Sequence, residues 1–348
     1  MEEMVRVFMQ RYEVPGFSVA IARHGQFVYR KAFGWADRDA GEPTTSSSLF
    51  RIGSVSKPIT SVAIFTLIEK KRLKLNDFVF GHNGVLGFDY GTRFLDGVQR
   101  ITIDHLLTHT CGGWSDNGSN FDYGSDPGAY RIEMSQAELL TLVIQAEHLH
   151  YEPGTHWAYS NFGYFVLGRV IEKLSGRSYE QYVRQNVLAQ CGVTDMRIGG
   201  NTLAERMSGE VVYYNGDHVD PYTFNIRRMD SCGGWIGSPS DLVRFAMHVD
   251  GFSYTPSILE ESSIRTMTEY CPISGDEDYA KGWRVRRGDW WHHGSCPGAR
   301  AILTRTSSGM CWAALANIRN EDMARAMDRL TFNLADAVPE WHVRSQSP

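Results

Sequence analysis

Hydrophobic positions recur along the chain with two different periods. Met4, Val5, Phe8 and Met9 recur at helical spacing within residues 2–12. Phe17 to Ala22 and Gln26 to Ala32 then read as two short strands, with Arg23-His24-Gly25 as the turn of a hairpin. From Ser54 to Lys71 the period is helical again. Ile59, Val62, Ala63 and Leu67 gather towards one face, and the segment ends in the charged run Glu69-Lys70-Lys71-Arg72. Further helical segments are predicted around 102–109, 135–146, 162–175 and 178–189. The run from Gly113 to Ala129 is rich in Gly, Asp, Asn and Ser, which predicts a loop of the kind that often forms a binding lid. Beyond about Asp250, Trp283 to Arg286, Trp290 to His293, Ala299 to Arg305 and Met310 to Leu315 read as an antiparallel meander. Its turns are Arg287-Gly288-Asp289 and Ser307-Ser308-Gly309. A last helix is predicted from about Glu321 to Ala335, and no internal repeat is visible.

Strands thus lie at both ends of the chain and helices in its middle. The economical architecture is α+β: one antiparallel sheet built from both chain ends and flanked by helices, with a mainly helical domain inserted. The expected division is residues 1–88 with 250–340 as the sheet domain, 89–249 as the insert and 341–348 as a tail. The active site is expected in the cleft between the two parts.

Composition narrows the function. The 348 residues carry a net charge of −5, with 42% hydrophobic and 22% charged residues, as in an ordinary folded enzyme. No Lys/Arg cluster suits nucleic acid, and the apolar stretch near Ile59 to Ile68 is far too short to span a bilayer. The start, Met1-Glu2-Glu3-Met4-Val5, lacks a basic then apolar leader, which favours a cytoplasmic location. Six cysteines, at 111, 191, 232, 271, 296 and 311, show neither C-x-x-C nor Cys/His zinc spacing and read as small buried thiols.

Three short motifs carry chemistry. In Ser54-Val55-Ser56-Lys57, Ser and Lys at i, i+3 share a face at the start of a helix. The helix terminus offers backbone N–H groups to an oxyanion, and a lysine made neutral by burial can take the serine proton. Pro58 fits only if the helix begins close to Ser54. Alone, the motif reads more readily as a helix cap with an exposed lysine. In Tyr159-Ser160-Asn161, ahead of a helix, the tyrosine can shuttle a proton beside a lysine, and the asparagine can bind lysine and a substrate carbonyl. The bland alternative is a packed aromatic beside a capping residue. Tyr213-Tyr214-Asn215 matches the same pattern, but Asn215-Gly216 reads as a hairpin turn. In His292-His293-Gly294-Ser295, Gly294 on an edge strand lets a substrate backbone approach, and the Ser295 N–H is a candidate second oxyanion donor. A surface strand is the alternative there. No third ligand accompanies the histidine pair, so no metal is expected.

The order Ser-x-x-Lys, Tyr-x-Asn, His-x-Gly resembles the serine β-lactamase and penicillin-binding-protein superfamily. The Tyr-Ser-Asn form is similar to its class C branch, which includes family VIII esterases, D-aminopeptidases and acyltransferases. Leu106-Leu107-Thr108-His109-Thr110-Cys111-Gly112 is a further match, with cysteine where the family usually has serine. Gly233-Gly234 followed by Ser238-Pro239-Ser240-Asp241-Leu242 is another. The resemblance implies that Ser54 attacks an acyl carbonyl, that Lys57 and Tyr159 move protons, and that Asn161 positions lysine and substrate. It also implies that the Ser54 and Ser295 amides hold the oxyanion, and that no cofactor is needed. Where β-lactamases usually carry lysine, this chain has His292. It is mostly neutral at pH 7, so an uncharged ester or amide is favoured over a β-lactam. The alternatives are a β-lactamase or D,D-carboxypeptidase, and a non-catalytic binding protein that keeps the fold. Trp157, Trp290 and Trp291 adjoin the motifs and are either an acyl pocket or core.

Overall fold

The computed structural model describes residues 1–114, 134–320 and 322–337. Most of the loop expected between Gly113 and Ala129 lies outside them, as does the tail from 341. Among the described residues ten strands are present: β1 (Gly16–Arg23), β2 (Gln26–Asp37), β3 (Glu42–Pro43), β4 (Phe50–Arg51), β5 (Arg197–Ile198), β6 (Trp235–Gly237), β7 (Arg284–Arg286), β8 (Asp289–Cys296), β9 (Ala299–Arg305) and β10 (Met310–Ala316). Seven of them form one antiparallel sheet in the order β3-β2-β1-β10-β9-β8-β7. The two chain ends meet at its centre, where Phe17 pairs with Ala316 and Arg23 with Met310. The α+β architecture read from the sequence is therefore the one observed. Its strands are longer than predicted at two places. The second strand runs on to Asp37, and β8 continues to Cys296, so Gly294 and Ser295 lie within a strand. A small second sheet, β4-β6-β5, ties residues 50–51 to segments near 198 and 236.

Side-chain alternation decides what covers each face. On the rear face Phe17, Val19, Ile21, Ile302, Trp312 and Ala314 meet α1 (Glu2–Arg11) and α10 (Met323–Asp336). On the front face the residues include Ala20, Ala22, Ala301 and Ala313, small enough for helices to approach closely. There α8 (Pro239–Met247) lies on β10 and β1. Beside it runs α2 (Ser56–Glu69), which is buried from Ser56 to Leu67 on every side. The single apolar face expected for this helix is a correction: its polar positions are interior too. Its α-helical turns begin at Ser56, after a 3₁₀ turn over Gly53–Val55. Pro58 therefore falls in the first turn, where no helical N–H bond is lost.

The remaining helices are α3 (Ile103–Leu107), α4 (Gln136–Ala146), α5 (Asn161–Ser175), α6 (Tyr179–Val183), α7 (Asp230–Gly233) and α9 (Glu261–Met267). The apolar core passes without a break from the front of the sheet through α2 into α3 and α5. The hairpin expected at Asn215-Gly216 is not formed. Instead Tyr214 bridges to Ile318 in parallel, and Gly216 lies against Arg319 and Asn320, where a Cβ would meet Asn320 Oδ1 at 2.1 Å. All six cysteines are free thiols, and all but Cys271 are buried.

Candidate active site

Ser54 sits on the 3₁₀ turn that joins β4 to α2, half-buried. Its approach is fixed by Arg51, which is buried and donates to the carbonyls of Pro221 (2.6 Å) and Gly200 (3.1 Å) while its guanidinium stacks on Tyr213. Gly53 has φ of +51°, and a Cβ there would meet the Ser295 backbone nitrogen at 2.8 Å. Glycine is thus required both by conformation and by contact. The same fact places the Ser295 amide against the peptide that precedes Ser54. The β8 edge is open for this contact because β7 pairs only with Asp289–Trp291.

Gly294 has a different reason from the one expected. A Cβ on it would lie 1.9 Å from the Ile52 carbonyl oxygen. The backbone that comes close is the chain's own strap into Ser54, a contact the motif alone does not reveal.

Lys57 is fully buried (0% exposed), which excludes the exposed helix-cap reading. Its Nζ lies 3.0 Å from Ser54 Oγ and 2.9 Å from the Cys232 carbonyl, and it donates to Asn161 Oδ1 at short range. Two of these partners can only accept. The third, a hydroxyl, can accept from an ammonium or donate to an amine lone pair. The arrangement therefore fits the proton on either side of the Nζ···Oγ contact. Lys57 Nζ is also 4.8 Å from the Tyr159 ring centre. Asn161 opens α5, and Ser160 caps that helix by accepting from Gly163 N–H (2.9 Å). Capping and site-building are thus shared between neighbours on one strap.

His292 and His293 point to opposite faces of β8. His292 faces the site and is 3% exposed. Its Nδ1–H donates to the His293 carbonyl (2.7 Å), which leaves Nε2 to accept from the Tyr279 hydroxyl (3.1 Å). Burial, and then the Lys57 charge, push its pKa well below the usual histidine range, so it is neutral. It supports Tyr279 with both ring nitrogens engaged. His293 reaches the rear and pairs with Asp328 (2.8 Å). Of the nearby tryptophans, Trp157 borders the cluster, 6.3 Å from Tyr159 and 6.1 Å from Tyr279. Trp290 packs in the core on Trp283, and Trp291 lies on the rear face.

Sequence reasoning missed three contributors. The Cys232 carbonyl is held by α7, whose Asp230 carboxylate accepts from buried Arg169 (2.6 Å) and whose Ser231 carbonyl accepts from Thr60 Oγ1 (2.6 Å). Gly233-Gly234 marked that segment without revealing that a carbonyl was its contribution. Tyr279 and His109 complete the aromatic wall. His109 lay within a noted motif, but no spacing rule gave it a role. Among the described residues no group of three His, Cys, Asp or Glu could hold a metal, and no helix is long and apolar enough to cross a membrane.

Several known proteins are similar to this chain. Penicillin-binding protein 4* of Bacillus subtilis (strain 168) is 28% identical over 93% of this chain and 74% of its own length. Esterase EstB of Burkholderia gladioli is 34% identical over 58% of this chain, which spans half of the esterase. In fold, the chain is similar to the octameric penicillin-binding protein homologue from Pyrococcus abyssi, with a TM-score of 0.77 and 25% identity over 96% of this chain and 76% of that one. The family model described as Beta-lactamase matches residues 1–336, and the chain belongs to the β-lactamase family.

Proposed function

We propose that this β-lactamase-family serine hydrolase forms its acyl-enzyme on Ser54 and acts on uncharged esters or amides. The observation that carries the reading is the buried Lys57 Nζ, 3.0 Å from Ser54 Oγ and held by Asn161 and Cys232. As Oγ attacks the acyl carbon, its proton passes to Nζ. The carbonyl oxygen becomes an oxyanion beside the amides of Ser54 and Ser295, an arrangement in which each donor typically contributes about 3 kcal/mol. Tyr159, stacked near Lys57, passes a proton to the departing alcohol or amine. The same pair then takes a proton from the water that attacks the acyl-enzyme, regenerating Ser54 and releasing the acid. Asn161 fixes the lysine and accepts the substrate amide or orients its carbonyl.

The preference for uncharged substrates rests on His292. The resemblance to β-lactamases implies a lysine at this position, whereas this ring is neutral and bound to Tyr279. The nearby Arg284 is already paired with Glu277 (2.7 Å). We place the cleft between a sheet part (1–88 with 250–340) and an inserted part (89–249), although α8 of the latter range packs on the sheet itself. Six free thiols suit a reducing compartment such as the cytoplasm.

Intact-protein mass spectrometry after brief exposure to p-nitrophenyl butyrate or to penicillin G tests the reading, with Ser54→Ala as control. Ester turnover or an acyl adduct that vanishes in the variant is the expected result. Preferential labelling by penicillin would move the chain to the penicillin-recognising branch. Ester turnover that survives Ser54→Ala would overturn the assignment of the nucleophile.

A further inference from the structure

The segment Trp157–Ser160, which carries Tyr159 into the site, has no regular secondary structure of its own. We propose that His109 is the positioning residue for Tyr159, tying down the backbone on both sides of it and backing its ring. The His109 carbonyl accepts from Ala158 N–H (2.9 Å), and its Nδ1 accepts from Ser160 N–H (3.0 Å). One residue therefore holds the neighbours of Tyr159 before and after it. Its ring lies 4.3 Å from the Tyr159 ring and 4.6 Å from that of Tyr279, with Tyr164 at 5.1 Å and Trp157 at 6.0 Å.

Two further observations separate this role from space filling. Nδ1 can accept only when it is unprotonated, so the ring proton is on Nε2, and that fully buried donor has no acceptor among the described residues. A phenyl ring would fill the space without an orphaned N–H; what it lacks is the acceptor for Ser160. The backbone of His109 is also left-handed, with φ of +59°, an uncommon conformation for a non-glycine residue. That bend brings its carbonyl and its ring to the same strap. Besides the three tyrosines against the ring, Lys57, His292 and Arg284 act on it. Burial first, then these last three, push its pKa well below the usual range, so the ring remains the neutral acceptor the clamp requires.

The inference rests on the reading that Tyr159 moves protons for Ser54, and Tyr159→Phe tests that reading separately. The clamp itself is tested in the full chain with His109→Gly and His109→Asn. Both residues tolerate a left-handed backbone, and asparagine restores an acceptor where glycine has none. Steady-state hydrolysis of p-nitrophenyl butyrate is measured well below the melting temperature of each variant, and Ser54 labelling by a fluorophosphonate confirms a folded site. The expected result for His109→Gly is a kcat lower by about 10- to 100-fold with KM within about threefold, and for His109→Asn a recovery of at least about fivefold over glycine. Wild-type kcat in His109→Gly overturns the proposal, as does an asparagine variant no faster than the glycine one. If the glycine variant does not fold, the asparagine variant decides: kcat nearer the wild type than Tyr159→Phe supports the clamp, and kcat at the Tyr159→Phe level overturns it. Full activity in Tyr159→Phe would remove the underlying reading instead, whatever the His109 variants do.

Discussion

The two faces of the large sheet are covered by helices of opposite character. On the rear, α10 buries Met323, Met327, Leu330 and Leu334 at helical spacing and turns Phe332 and its charged residues outward. On the front, α2 is interior from Ser56 to Leu67, and its polar side chains are satisfied by distant parts of the chain. Thr60 bonds Tyr179 and the Ser231 carbonyl, Ser61 the Lys281 carbonyl, and Thr66 Tyr182. One helix adds stability through area removed from water. The other holds an interior hydrogen-bond network whose members also fix the reacting atoms. Substitutions on the two sides should therefore fail in different ways.

The largest expected effect is on the front. Lys57→Met should lower kcat/KM by about a thousandfold or more while the protein stays folded, because it removes the proton acceptor and leaves the Asn161 and Cys232 oxygens without their donor. Ester kinetics with circular dichroism as the folding control measures it, and activity within tenfold of the wild type would erase the contrast. On the rear, Leu334→Ala should cost about 2–5 kcal/mol in urea unfolding and leave kcat unchanged well below the melting temperature. A loss of kcat without a loss of stability would mean that the rear face also serves the chemistry.

A pH measurement sharpens the difference further, because two neutral imidazoles, His109 and His292, are buried on the front. Each stays unprotonated in the folded state, whereas its unfolded counterpart takes up a proton near pH 6.5. The folded state is thus disfavoured progressively as pH falls below 6.5, by about 1 kcal/mol for each histidine between pH 7.5 and 5.5. Asp250, whose carboxyl burial raises to about 6, opposes part of this over the same range. Unfolding free energies at the two pH values should differ less in His292→Asn than in the wild type, and an unchanged difference would contradict the assignment. The smallest effect is expected from His293→Ala on the rear. Its pair with Asp328 is partly exposed, so stability should change by less than about 1 kcal/mol and ester turnover not at all.

The same contrast explains how far the sequence could be read. The helical period of α10 was visible because it buries one face, and the meander β7–β10 and the first hairpin because Gly-containing turns bound short apolar runs, even though β1, β9 and β10 are buried on both faces. The interior position of α2 was not, since Thr60, Ser61 and Thr66 look like a solvent face until their partners at 179, 182, 231 and 281 are known. Ser54, Lys57, Tyr159 and Asn161 could be picked out because their chemistry is local to short motifs, and the fold brings them together. The Cys232 carbonyl could not, because every residue carries a carbonyl and only tertiary packing selects one. Gly294 shows a subtler limit. The residue could be singled out by its motif, but its reason, the Ile52 oxygen, lies in a segment far away in the chain.

The meeting of β1 with β10, and of Gly53 with Ser295, has a consequence for biosynthesis. The first hairpin is made well before β10, the strand that pairs with it, and long-range pairing of this kind is slow to form. Until then one edge of β1 has no partner, and a nascent chain must be protected from pairing with another copy. The proposed oxyanion site is unfinished for the same interval. A growing polypeptide therefore carries Ser54 and Lys57 without the proposed second amide until Ser295 has been added, and hydrolytic competence should arrive only once the meander β7–β10 has closed the sheet.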